Sequence, residues 1–363
     1  MTTTEVPFLD LQREFNEYGE ELISRAQNVL RKGRFILDEE VSKFESKFSS
    51  YVGAKYGIGV NSGSDALYLA LRAIGVEGKE VVLPSHTFIS TADAVVRNGG
   101  IPVFVDIEPG RYTLDPDAVR EHVHEDTAAV IPVHLYGQPA EMDPIVEVAD
   151  EYNATVVEDA SQAHGARYRD EPVGSLGDMA VFSLYPTKNL GAYGDAGIAV
   201  TSDDKLAEHL RMAREYGSLE RYRYEFVGTN SRLDEIQAAM LQYKLSRLDE
   251  LNERRREVAD SYEQTLNGVS TPSAVNHVDH VYHLYVVETD ERDALRAHLD
   301  DHGVDTLIHY PTPIHQQPSY EGVGVRGDLG VTERVTDRIL SLPMHPWCRP
   351  EEVDHVADAI RKF

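Results

Sequence analysis

Six short apolar runs constrain this chain most: YGIGV (56–60), EVVLP (80–84), PVFVD (102–106), AAVIPV (128–133), ATVVED (154–159) and MAVFSL (179–184). Helix-like segments of about ten to twenty residues separate them, an alternation that predicts an α/β fold with a mostly parallel sheet and crossover helices. In such a sheet, ligands sit beyond the carboxyl ends of the strands. Ahead of the sheet, residues 11–50 read as two amphipathic helical pieces broken at Gly33. Behind it, residues 233–260, opening LDEIQAAMLQYKL, repeat apolar positions every three or four residues and predict one long helix. HLYVVET, DTLIHYP and a final helix near 350–362 then predict a smaller α+β unit. At 363 residues the chain exceeds what one core ordinarily serves. The expected division is an N-terminal arm with a large domain over 1–245, and a small domain over 246–363.

Composition removes several classes of function. The net charge of -27 lies in acids dispersed among apolar-patterned segments, which argues against disorder and against a nucleic-acid partner. Nine lysines stand against 26 arginines, and this acidic, lysine-poor balance resembles salt-adapted proteins, whose self-repulsion is screened at high ionic strength. An ordinary acidic cytosolic enzyme is the plainer alternative. The single cysteine, Cys348, excludes an internal disulfide and a four-cysteine metal site, and no metal is expected. No apolar run approaches a membrane span, and MTTTEVPFLD lacks the core of a secretory signal, so a reducing cytoplasm is the expected location.

Within SLYPTKNLGAY (183–193), Lys188 is the one charged side chain. It follows the MAVFSL strand, while Asp159 closes the ATVVED strand, so both reach the same edge of the sheet. An acid and an amine placed so suggest covalently held pyridoxal phosphate, with Lys188 as the Schiff-base lysine and Asp159 keeping the ring nitrogen protonated. Burial would also lower the lysine pKa and favour the reactive amine. A solvated loop lysine is the other reading, and these residues alone leave both open. NSGSDALYLAL (61–71) resembles a strand-to-helix turn whose free N–H groups at Gly63, Ser64 and Asp65 would bind a phosphate, although Ser and Asp also cap ordinary helices. Ser183 would add a hydroxyl. Phe88, just past EVVLP, is placed either to stack on the pyridine or to fill the core.

Phe88 in PSHTFIST, Asp159 in VVEDASQAHGA, Lys188 in FSLYPTKNLGAYGDAG and the later TNSRLDEIQAAML together resemble the DegT/DnrJ/EryC1/StrS family of sugar aminotransferases. The likeness runs from VPFLDLQREF through HYPTPIHQQP to SLPMHPW, nearly the whole chain. It implies the type I aminotransferase fold, pyridoxal 5'-phosphate as cofactor, and a homodimer with shared active sites. Its substrates would be a nucleotide-linked keto sugar and an amino-acid donor, glutamate. Carried over by position, Lys188 is the Schiff-base lysine, Asp159 the acid at the ring nitrogen, and Gln162 the residue near the phenolic oxygen. Gly63, Ser64 and Ser183 match phosphate contacts, and Asn230 matches one reaching across from the other subunit. His309, Tyr310 and His315 fall in a substrate-facing segment. His164 is placed either to orient the site or to pack beneath it, and Asn230 or Ser231 would serve equally as a helix cap.

The same resemblance admits rivals. A sugar dehydratase of the family carries histidine where Lys188 stands, an enzyme forming an aromatic amine keeps the lysine, and a non-catalytic regulatory protein would need fewer of these residues. Relatives that aminate a 4-keto sugar often carry histidine at the position of Tyr185, so YPTKNLGAYGD favours a 3-keto-6-deoxy sugar.

Overall fold

The computed structural model describes residues 5–273 and 275–363. All six apolar runs form strands: β1 (Tyr56–Val60), β2 (Glu80–Pro84), β3 (Ile101–Val105), β4 (Thr127–Val130), β5 (Thr155–Asp159) and β6 (Met179–Ser183). A seventh, β7 (Gly197–Thr201), follows β6 with no intervening helix and therefore returns antiparallel to it. Strand β8 (Tyr285–Glu288) lies outside this sheet, and β9 (Val325–Arg326) comes back to its edge. The order across the sheet is β1-β7-β6-β5-β4-β2-β3-β9. The pairs of β7 with β1 and β6 are antiparallel and the rest are parallel.

Both faces of the sheet are covered, which is why the strands read as unbroken apolar runs. Met179 and Val181 of β6 join Ile58, Leu67, Leu71 and Leu83 on one face. Ala180 and Phe182 join Phe44, Phe48 and Ile198 on the other. Gly33 takes positive φ where the Leu11–Lys32 helix ends, as the sequence break predicts. The expected single helix over 233–260 is instead two, Glu235–Leu245 and Leu248–Thr265. The apolar periodicity continues across the break, so spacing alone does not reveal it. The first of the two is buried on many sides, and its Glu235 accepts hydrogen bonds from the N–H groups of Asp38 (2.8 Å), Glu40 (2.8 Å) and Val41 (2.9 Å). A carboxylate thus caps the Glu39–Tyr51 helix from across the fold.

The C-terminal part is built on β8 and an antiparallel partner, β10 (Ile339–Leu342). Tyr285, Val287, Leu340 and Leu342 pack there with Tyr262, Leu295, Leu299, Val356 and Ile360 from three helices. The N-terminus joins this part through Val6, which bridges Val304.

Candidate active site

At the carboxyl ends of β5 and β6 lies a cavity of about 500 Å³ lined by Gly63, Ser64, Phe88, Asp159, Gln162, Ser183, Lys188, His309 and Tyr310, nine of the eleven expected site residues. Larger open grooves lie along residues 293–307 and 15–23, but neither is lined by a lysine or a histidine. The chemistry is therefore concentrated in the smaller space.

The phosphate turn is tighter than sequence suggests. Ser62, rather than Gly63, is the N-cap, its Oγ accepting the Asp65 N–H at 3.1 Å. A Cβ on Gly63 would stand 2.6 Å from Ser183 Cβ and 2.8 Å from Ser183 Cα. Only glycine lets the helix start settle against the end of β6, which leaves the first-turn N–H groups of Gly63 and Ser64 at the cavity wall. Asp65 turns away and accepts the Ser231 hydroxyl at 2.7 Å.

Asp159 is fixed from two sides. Thr91 Oγ1 donates to Oδ2 at 2.9 Å and the Ser161 N–H donates to Oδ1 at 3.2 Å. Gln162 is equally constrained: Oε1 accepts the Tyr136 N–H at 2.7 Å and Nε2 donates to the Tyr310 hydroxyl at 3.2 Å. Phe88 is half exposed and lies 5.9 Å from the Tyr310 ring, centroid to centroid, so it forms a wall of the cavity rather than part of the core.

Lys188 makes no side-chain hydrogen bond or ion pair among the described residues. Burial draws its ammonium down to about 8, and the nearby Asp159 offsets only part of that cost. His309 is lowered to about 4 by burial and then by Lys188, and its Nδ1 pairs with Ser341 Oγ at 2.9 Å. His164 is wholly buried beneath the site against Phe182 and is lowered to about 3 by burial and then by Lys188. The Ser183 backbone lies near enough to favour its charge slightly, but neither ring nitrogen has a partner in hydrogen-bond geometry.

Two expected residues stand elsewhere. His315 is buried behind the cavity, its Nδ1 2.6 Å from Ser85 Oγ and its Nε2 3.1 Å from Glu333 Oε1, and it pins its segment to the end of β2. Asn230 is exposed, outside the cavity of its own chain, and bridges Glu215. It caps no helix, because the next one begins at Glu235 with Asp234 at the cap position. Residues not foreseen are Ser62, Thr87, Asp195 and His283 in the lining and Thr91 behind it. Thr87 and Thr91 flank the predicted Phe88, and their four-residue spacing was the available signal.

A sequence model of the DegT/DnrJ/EryC1/StrS aminotransferase family matches residues 16–361. The chain belongs to this family. A Streptomyces venezuelae protein, dTDP-3-amino-3,4,6-trideoxy-alpha-D-glucose transaminase, is 45% identical over 99% of this chain and 97% of its own length. An Aneurinibacillus thermoaerophilus relative, dTDP-3-amino-3,6-dideoxy-alpha-D-galactopyranose transaminase, is 44% identical over 99% of both. The crystal structure of S. venezuelae DesV in complex with a ketimine intermediate superposes with a TM-score of 0.96, at 46% identity, covering 99% of this chain and 98% of that one. The protein is thus an aminotransferase of type I fold whose cofactor is pyridoxal 5'-phosphate. The residues present fit that group: a lysine without a side-chain partner among the described residues, a fixed carboxylate and a helix start that only glycine at 63 lets pack against Ser183 surround one cavity.

Proposed function

We propose that this aminotransferase moves an amino group from glutamate to the 3-keto carbon of a nucleotide-linked 6-deoxy sugar. The observation that carries the reading is the cavity in which Lys188, without a side-chain partner among the described residues, shares a wall with Asp159 and the Gly63–Ser64 turn. Two relatives named as 3-amino sugar transaminases support the 3-position, as does Tyr185 in the lining, where 4-aminating relatives often have histidine. When bound, pyridoxal 5'-phosphate supplies a carbonyl that couples to amines and a ring that withdraws electrons from the carbon losing its proton. Ser64, Ser183 and the first-turn N–H groups would hold its phosphate. Asp159, its orientation set by Thr91 and Ser161, would hold a proton on the ring nitrogen, and Gln162, held by Tyr136 and Tyr310, would lie near the phenolic oxygen. Lys188 Nζ, kept largely uncharged above pH 8, would take the α-proton from the amino donor in one half-reaction and supply a proton to the sugar carbon in the other. His309 and Tyr310 face the sugar. Incubation with ¹⁵N-glutamate and a panel of nucleotide keto sugars, followed by NMR of the product, tests the assignment. The label belongs on C3, and a C4-labelled product contradicts it.

In this reading the large domain runs over 1–245 and the small one over 246–363, a division supported by the helix break at Ser246–Arg247. The enzyme works as a cytoplasmic homodimer. No helix of the described residues is long and apolar enough to cross a membrane. Asn230, exposed and idle in its own chain, reaches the partner's phosphate. Mixing inactive Lys188→Ala with a weakened Asn230→Ala variant then yields one site with both residues intact, and activity rises above that of either parent. A mixture showing only the average, with exchange confirmed by mass, contradicts the shared site.

Salt adaptation follows from the charge. Raising potassium chloride from about 0.1 M to about 1 M shortens the Debye length from about 10 Å to about 3 Å and eases repulsion among the excess acids. The melting temperature is expected to climb across that range, and a flat or falling curve counts against adaptation.

A further inference from the structure

Directly behind Lys188 runs a buried polar chain for which the reading above has no use. Asn189, Asn252 and His283 are all less than one-tenth exposed. Asn252 Nδ2 donates to the His164 carbonyl at 2.8 Å. A backbone carbonyl only accepts, so the amide of Asn252 has one orientation and presents Oδ1 to Asn189. Asn189 Nδ2 donates to that oxygen at 2.9 Å and to the Val281 carbonyl at 3.0 Å, which fixes the second amide as well. Its Oδ1 is then the atom facing His283 Nδ1 at 3.2 Å. An amide oxygen cannot donate, so the imidazole must, and two carbonyls remote from the ring determine its tautomer.

His283 Nε2 has no hydrogen-bond partner among the described residues, and the side chain lines the cavity. Arg255, also buried, grips the carbonyls of Tyr282, Met344 and His283 at 3.1, 3.2 and 3.4 Å and so holds the backbone of the ring. Burial keeps the imidazole well below its ordinary pKa. The groups facing it, Lys188, Arg255, His309 and His164, add to that effect.

We propose that the Asn252–Asn189–His283 chain holds the His283 proton on Nδ1, so that Nε2 borders the cavity as a fixed hydrogen-bond acceptor for the attacking amine, whether the amino group of the donor or Lys188 Nζ. Asn189 and Asn252 are positioning residues, and His283 aims the amine lone pair by accepting one of its N–H bonds. The proposal rests on the aminotransferase reading for the identity of the amine. It is independent of which sugar is aminated.

Nitrogen NMR of ¹⁵N-histidine holoenzyme without substrate tests the tautomer, the His283 signals being assigned by their loss in His283→Gln. The expected pattern is a protonated Nδ1 and a bare Nε2, unchanged between about pH 6 and 9. Asn189→Ala is expected to move the proton to Nε2, the form free imidazoles prefer. With an amino acid alone, His283→Phe is expected to lower the half-reaction kcat about tenfold to a hundredfold with KM little changed. His283→Gln, which returns an oxygen acceptor near the Nε2 position, is expected to recover most of that loss. Protonated Nε2 in the wild type, a Phe variant as fast as wild type, or a Gln variant as slow as Phe each overturns the proposal. Because neither readout involves a sugar, a wrong sugar assignment leaves these results untouched.

Discussion

Lys188→Ala is expected to lose turnover by about 10⁴-fold or more, because in the proposed function it removes both the covalent attachment and the group that moves the proton. The fold should not suffer. Lys188 makes no side-chain hydrogen bond or ion pair among the described residues, and the substitution removes a charge whose burial already costs it protons. The variant should still bind cofactor through the Gly63–Ser64 turn and Asp159, but releasably, and unchanged melting with reversible binding is the signature. The wild type adds a pH test. With the ammonium drawn down to about 8, cofactor capture by apoenzyme should quicken as pH rises to that value and level off above it. A capture rate still climbing steeply beyond pH 10 would indicate an ordinary solvated lysine.

Asp159→Asn is expected to cost about 10²–10³-fold in turnover while retaining most of the bound cofactor. The geometry explains why it should fold. The Ser161 N–H cannot reverse, so the amide oxygen stays opposite it and the new NH₂ faces Thr91. Thr91 can turn its hydroxyl toward Thr87 Oγ1, 3.3 Å away, and accept from the NH₂. No buried polar group is orphaned. In the proposed function what is lost is the negative charge that would keep a proton on the ring nitrogen, so the half-reaction with glutamate should slow while affinity changes little. A half-reaction near the wild-type rate removes Asp159 from its assigned role.

Much of this was legible because the sheet is buried on both faces and six of its strands announce themselves as apolar runs. Lys188 and Asp159 follow from the same logic, since strand ends are where a doubly covered sheet exposes side chains. β7 escaped because Gly197 opens it straight out of the loop after Lys188, with no crossover helix to set it apart. Its approach to the phosphate turn is close enough that a Cβ on Gly197 would collide with the Ser62 backbone. At Asp65 the sequence left capping and phosphate binding open because both use the same residue types, and only the contacts with Ser62 and Ser231 show that its N–H is capped and its carboxylate turned away. His315 and His283 show the opposite limit. His315 lies in a segment read as substrate-facing and serves packing, whereas His283 opens HLYVVET, read only as part of the smaller unit, and lines the cavity; only long-range pairing with Ser85 and Asn189 separates them.

Borohydride reduction of the holoenzyme followed by peptide mapping tests the central claim most directly, since it fixes the cofactor to whichever lysine holds it. The chain has nine lysines, and Lys244 is the one most deeply buried among the described residues. Burial lowers its pKa too, but Glu14 binds its Nζ at 2.6 Å and occupies it. The account predicts the label on the peptide containing Lys188 and nowhere else. Label on Lys244, or on any of the other seven, contradicts it.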